Sequence, residues 1–97
     1  MATKIEFHFQ EGFAGETVVL SAGGAELSRL PMRTRPQTGL AGIASVEIAA
    51  GRVATVSVPD ANLSAARTVA ESDRWITVNR RGNTLVLESV PASPGYV

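Results

Sequence analysis

The sequence contains no cysteine, one histidine and one lysine. Without a thiol there is no disulfide framework, no thiolate metal centre and no cysteine nucleophile. A lone histidine, His8, excludes a two-histidine metal site. Aromatic residues number five in 97, a thin stacking platform for nucleic acid. Neither acidic nor basic residues are in excess. Nine basic side chains balance nine acidic ones, so no whole-molecule field draws the chain to nucleic acid or an anionic membrane, and any anion site must be local. No apolar run approaches the about 18 residues that span a bilayer. The start, MATKIEFHFQEG, alternates where a secretory signal would be continuously apolar. These absences lead us to expect a cytoplasmic protein that is not an enzyme and holds no cofactor or metal. Eight of the nine basic residues are arginine and alanine is abundant, as in proteins of GC-rich bacterial genomes.

What is present is period two. In KIEFHFQ, Ile5, Phe7 and Phe9 alternate with Glu6, His8 and Gln10, giving one apolar and one wet face, as in a strand lying over a core. On this pattern His8 faces solvent. A second strand over Thr17 to Ala22 meets Gly23-Gly24, a dipeptide free to take the positive φ of a primed hairpin turn, and Glu26 to Leu30 returns antiparallel. Pro31, with no N–H to donate, is expected to end that ladder. Ala44, Val46 and Ile48 alternate next; Ala50-Gly51-Arg52 turns; Ala54, Val56 and Val58 follow until Pro59-Asp60 breaks the run. Residues 62–72 alternate as a strand but also offer Asp60 or Asn62 as a helix cap; the surrounding strands favour strand. Trp75 to Arg80 and Thr84 to Ser89 flank Arg81-Gly82-Asn83, read as a three-residue bulged hairpin loop.

Seven or eight short strands, with turn signals about every 8–12 residues, predict an all-β, antiparallel sandwich with Greek-key connections over residues 1–90. PASPGYV, rich in proline, then forms an extended tail over residues 91–97. GRVATVSVP, with GETVVLSAGG upstream, resembles transthyretin-like and carboxypeptidase-regulatory-type domains, small immunoglobulin-like sandwiches in which a glycine turn opens a strand of alternating valines. Val53 departs from the aromatic usual there, and Pro59-Asp60 from the usual glycine-aromatic exit. The resemblance implies a non-catalytic module that binds or scaffolds.

Several residues carry candidate chemistry. Arg33 and Arg35, with Gln37 beside them, lie in MRTRPQTGLAG and are suited to bidentate capture of a carboxylate or phosphate. The segment lacks the lysine of a phosphate-binding P-loop, and the preferred reading is a long polar connection between sheets, for which Pro36 and the two glycines supply the turns. Arg80 and Arg81, near Arg74, Trp75 and Asn79, have the residue types of a single-strand nucleic-acid binder, but the charge balance makes nucleic acid an unexpected partner. Asp60, Asn62, Ser64 and Glu71 match the ligand spacing of a calcium loop without its central glycine, the sixth position being Ala65. Glu71 and Asp73, two apart, could share a face as paired carboxylates, but surface charge at a strand end explains them as well. Tyr96 and Val97 place an aromatic and an aliphatic in the tail, which is either disordered, the default for such a segment, or docked on a sheet edge of its own or a neighbouring molecule. The expected function is protein binding or self-association into a homo-oligomer through exposed edges and loops, with a small-molecule or anion-binding domain using Arg33 and Arg35 as the alternative.

Overall fold

The computed structural model describes residues 2–94; the proposed tail residues Tyr96 and Val97 lie outside them. Eight strands, β1 (Ala2–Phe9), β2 (Ala14–Ala22), β3 (Ala25–Arg33), β4 (Gly42–Ala49), β5 (Val53–Val58), β6 (Leu63–Thr68), β7 (Trp75–Arg81) and β8 (Thr84–Val90), form two four-stranded sheets. The first sheet has the order β4-β1-β7-β8, the second β3-β2-β5-β6. Their apolar faces meet over one core, a sandwich-like arrangement in which Ile5, Phe7, Val56, Val58, Ile76 and Val78 are fully buried. Each such side chain contributes about 1.5–3 kcal/mol by leaving water. Among the described residues there is no α-helix, only a 3-10 turn at Pro59–Ala61, and so no helix long and apolar enough to cross a membrane.

Residues 62–72 follow the strand alternative as far as Thr68: β6 pairs antiparallel with β5 from Val53↔Thr68 to Val58↔Leu63. The strand is entered through Asn62, left-handed at φ 54. Gly23 (φ 58) and Gly24 (φ 83) both take positive φ, as a type I′ turn requires, and join Ala22 to Ala25.

Four expectations are corrected. Pro31 does not end its ladder, because β3 is an edge strand, where proline's missing N–H is tolerated; Pro31 pairs with Thr17 and the strand runs on to Arg33. The last hairpin has a two-residue loop, since Arg81 opposes Thr84 and Gly82 alone supplies the positive φ (62), as in a type II′ turn. Five of the six ladders are antiparallel, but β1 and β7 run parallel from Glu6↔Trp75 to Phe9↔Val78. No hairpin joins those two strands, so nothing local fixes their direction. His8 is buried, at 2% exposure. Its parity is as expected, opposite to Ile5 and Phe7, but β1 is an inner strand: Ile43 and Thr77 flank His8 in register, and the Glu6 carboxylate lies 3.0 Å from its Nε2.

Candidate functional site

The strand directions sort the connections into two ends. One end gathers the β1–β2 loop, the β3–β4 connection, the Pro59–Ala61 turn and the β7–β8 turn; the other gathers the Gly23-Gly24 turn, the β4–β5 turn and the β6–β7 loop. Arg33, Arg35, Gln37, Arg80 and Arg81 all fall at the first end, so the topology collects residues that the sequence keeps apart.

Their roles differ. Arg80 is structural: its Nη1 reaches Glu16 Oε2 at 2.7 Å and its Nε donates to the Gly82 carbonyl at 3.0 Å, while its backbone N–H donates to the Glu11 carbonyl. The β1–β2 loop presses closely there. Gly12 has φ +91, and a Cβ on it would lie 2.2 Å from the Arg80 carbonyl oxygen, so only glycine fits. Asn79 completes the junction, accepting from the Glu11 N–H at 2.9 Å and donating to Gln10 Oε1 at 3.1 Å. Arg33 lies over Gly15, its Nη2 3.1 Å from where a Cβ would project. Arg35, Gln37 and Arg81 are exposed.

The β3–β4 connection crosses from the second sheet to the first. Its backbone is satisfied internally: the Arg35 carbonyl accepts from the N–H groups of Thr38 and Gly39, and Arg35 N–H donates to Leu40 O. Thr34 ties it to the β1–β2 loop, donating through Oγ1 to the Gln10 carbonyl and accepting from the Phe13 N–H at 3.1 Å. Those backbone donors are therefore committed, and Glu11 brings a carboxylate to Gly39. An anion here would meet Arg35 beside an acidic neighbour.

At the opposite end stands Asp73, corrected from surface charge to buried carboxylate, with 2% exposure. Oδ1 accepts from the Ser89 hydroxyl at 2.6 Å and from Arg67 Nη2 at 3.3 Å; Oδ2 accepts from the Ala70 N–H at 2.9 Å. Burial by itself would raise this carboxyl, but the bonds from Ser89, Ala70 and Arg67 outweigh it and hold the group below the usual aspartate range. Arg67 belongs to β6 and Ser89 to β8, so Asp73 ties the edges of the two sheets together on one side of the sandwich.

Two other constellations come apart. Trp75 and Arg74 lie at the start of β7 and Arg80 and Arg81 at its finish, roughly 20 Å away at about 3.3 Å per residue, so they build no common stacking groove. Asp60 and Glu71 fall at opposite ends of β6, which separates the ends of the calcium-loop spacing. Among the described residues no three His, Asp or Glu side chains gather as a metal site.

Sequence reasoning did not single out the remaining side of the sandwich. Edge strands β3 and β4 lie there without a ladder between them. Three of the four large hydrophobic side chains exposed in the described residues stand on these two strands, Leu27 at 38%, Leu30 at 48% and Ile43 at 46%; the fourth is Val53. A recess bordered by Leu27, Ile48, Ala49 and Arg52 opens beside one end of β4, and another bordered by Arg35, Leu40 and Ile43 beside the other. The signal in the sequence was the absence of proline, lysine and arginine from GIASVEIA, but only the strand order makes that an edge. Comparison with known protein families, curated proteins and solved structures finds no match.

Proposed function

We propose that the chain is a non-catalytic module that acts by binding a protein or by assembling with copies of itself, through the side of the sandwich formed by β3 and β4. One observation carries this reading: exposed Leu27, Leu30 and Ile43 all stand on the edge strands of that side, whereas the opposite side is bridged by Asp73. Exposed apolar side chains on edge strands, beside unpaired strand backbone, are the ordinary makings of a protein contact. The proposal includes an immunoglobulin-like Greek-key sandwich of the transthyretin-like kind and a cytoplasmic setting. Support for the fold comes from GRVATVSVP: Gly51 turns at φ +89 and opens β5, whose Ala54, Val56 and Val58 are fully buried. The anion-binding alternative has weaker support, because Glu11 and Glu16 accompany the arginines and Arg80 is already paired.

The test is a Leu30→Glu, Ile43→Glu variant, compared with the parent by sedimentation velocity and by cross-linking pull-down from cells. Association in either assay should fall in the variant. Association that persists unchanged with both residues charged would remove the β3–β4 side from consideration.

A further inference from the structure

The sandwich has four strand edges, and they are not equivalent. On one side β6 and β8 are bridged by Asp73 through Arg67 and Ser89, so side-chain bonds already cross between those edges. On the other side β3 carries several features that discourage further pairing. Pro31 removes a donor. Leu20 opposes Ser28 while Ser21 opposes Glu26, so Leu27 is the extra residue of a bulge, and a second irregularity of the β2–β3 ladder falls on its partner strand, at Gly15 of β2. Glu26 and Arg29 place an exposed ion pair along the strand, 2.7 Å apart.

The fourth edge, β4, has none of these. It pairs with β1 without a register shift from Ala2↔Ala49 to Phe9↔Gly42, and GIASVEIA carries no proline and a single charge, Glu47. Its edge runs the eight residues Gly42–Ala49 with no other strand of the described residues paired to it on the outer side. Resting on the surface-acting reading above, we propose that β4 pairs antiparallel with β4 of a second copy of this chain, so that the first sheet continues across the two molecules.

Self-complementarity is what selects a second copy as the occupant. In a two-fold antiparallel pair, opposed residues share a sheet face, so their numbers share parity. Centring the pair on Glu47 sets two carboxylates against each other, which is unfavourable. Centring it on Ser45 sets Ile43 against Glu47. Centring it on Val46 brings Val46 to Val46, Ala44 to Ile48 and Ile43 to Ala49, and leaves Ser45 beside Glu47, where a hydroxyl donates to a carboxylate. Like meets like in every row, and the exposed Ile43 is covered. Lys4 stands opposite Glu47 within its own chain, so the only charge on the edge has a basic neighbour before any partner arrives.

Because the chain lacks cysteine, introduced thiols report directly. Under mild oxidation Val46→Cys should form a covalent dimer, and Arg29→Cys on β3 should not. Should Val46→Cys misfold, a Ser45→Cys, Glu47→Cys double variant at exposed positions carries the same test, since this register opposes the two. Ile43→Lys should weaken the dimer by at least about tenfold in sedimentation velocity, with far-ultraviolet circular dichroism unchanged. A parent that dimerises but cross-links only through Arg29→Cys overturns the β4 pairing and leaves the surface-acting reading standing. A parent monomeric at every concentration overturns self-pairing outright. If an extended peptide then protects the β4 amides from exchange, the occupant is a different chain; if nothing associates with the β3–β4 side, the broader reading falls as well.

Discussion

Asp73 illustrates how much of a sandwich can depend on a polar residue. Its carboxylate is buried and bonded to Arg67 and Ala70 just upstream and to Ser89 on β8. Replacing Asp73 with alanine leaves those donors without their acceptor, and urea denaturation should show a loss of about 2–3 kcal/mol; Arg67 is partly exposed and can rehydrate, which keeps the cost below that of a fully buried pair. The pH dependence has a definite sign. Because folding lowers this carboxyl, its stabilisation is complete above the ordinary value of 3.8 and is lost as pH falls through the still lower folded-state value. Asp73→Asn should therefore unfold with a shallower acid dependence than the parent below about pH 3.8; an unchanged acid limb would contradict the geometry. Period two placed Ile5, Phe7 and Phe9 inward correctly, yet it misjudged the depth of His8, and position at a strand end misjudged Asp73. Alternation tells which face a side chain takes. Depth depends on what stands alongside, and for His8 that is Ile43 and Thr77, each more than thirty residues away in the chain.

Elements bounded by local chemistry were the legible ones. Gly23-Gly24 fixed a hairpin, Pro59 closed β5, and β6 emerged as a strand despite its helix-forming alanines because β5 offered a ladder from Val53 to Val58. Pro31 misled for the complementary reason: a proline's meaning depends on whether its strand is inner or edge, and strand order is a property of the whole sheet. The same limit hid the β3–β4 side, while the arginine loops stood out by composition alone. If Pro31 protects the β3 edge, Pro31→Val should retain nearly the parent melting temperature but self-associate more strongly, seen as concentration-dependent light scattering. A variant that scatters no more than the parent would show that the bulges at Leu27 and Gly15 suffice.

At the scale of the molecule, balanced charge shapes how copies meet. Formal net charge is zero at pH 7, and β4 carries only Glu47, so association through that edge should be nearly independent of salt. We expect the dimer dissociation constant to change by less than about threefold between low and high ionic strength. A steep salt dependence would implicate the arginine-bearing end of the sandwich instead.

The parallel ladder between β1 and β7 has a bearing on how the chain reaches this state. Residues 2–9 occupy an inner position whose two neighbours arrive only with residues 42–49 and 75–81. During synthesis that hydrophobic ribbon stays unsatisfied until most of the chain has emerged, and closing such distant pairings is slow. Maturation is thus governed by the late capture of an early segment, which leaves a nascent interval in which Ile5, Phe7 and Phe9 are open to chaperones or to aggregation.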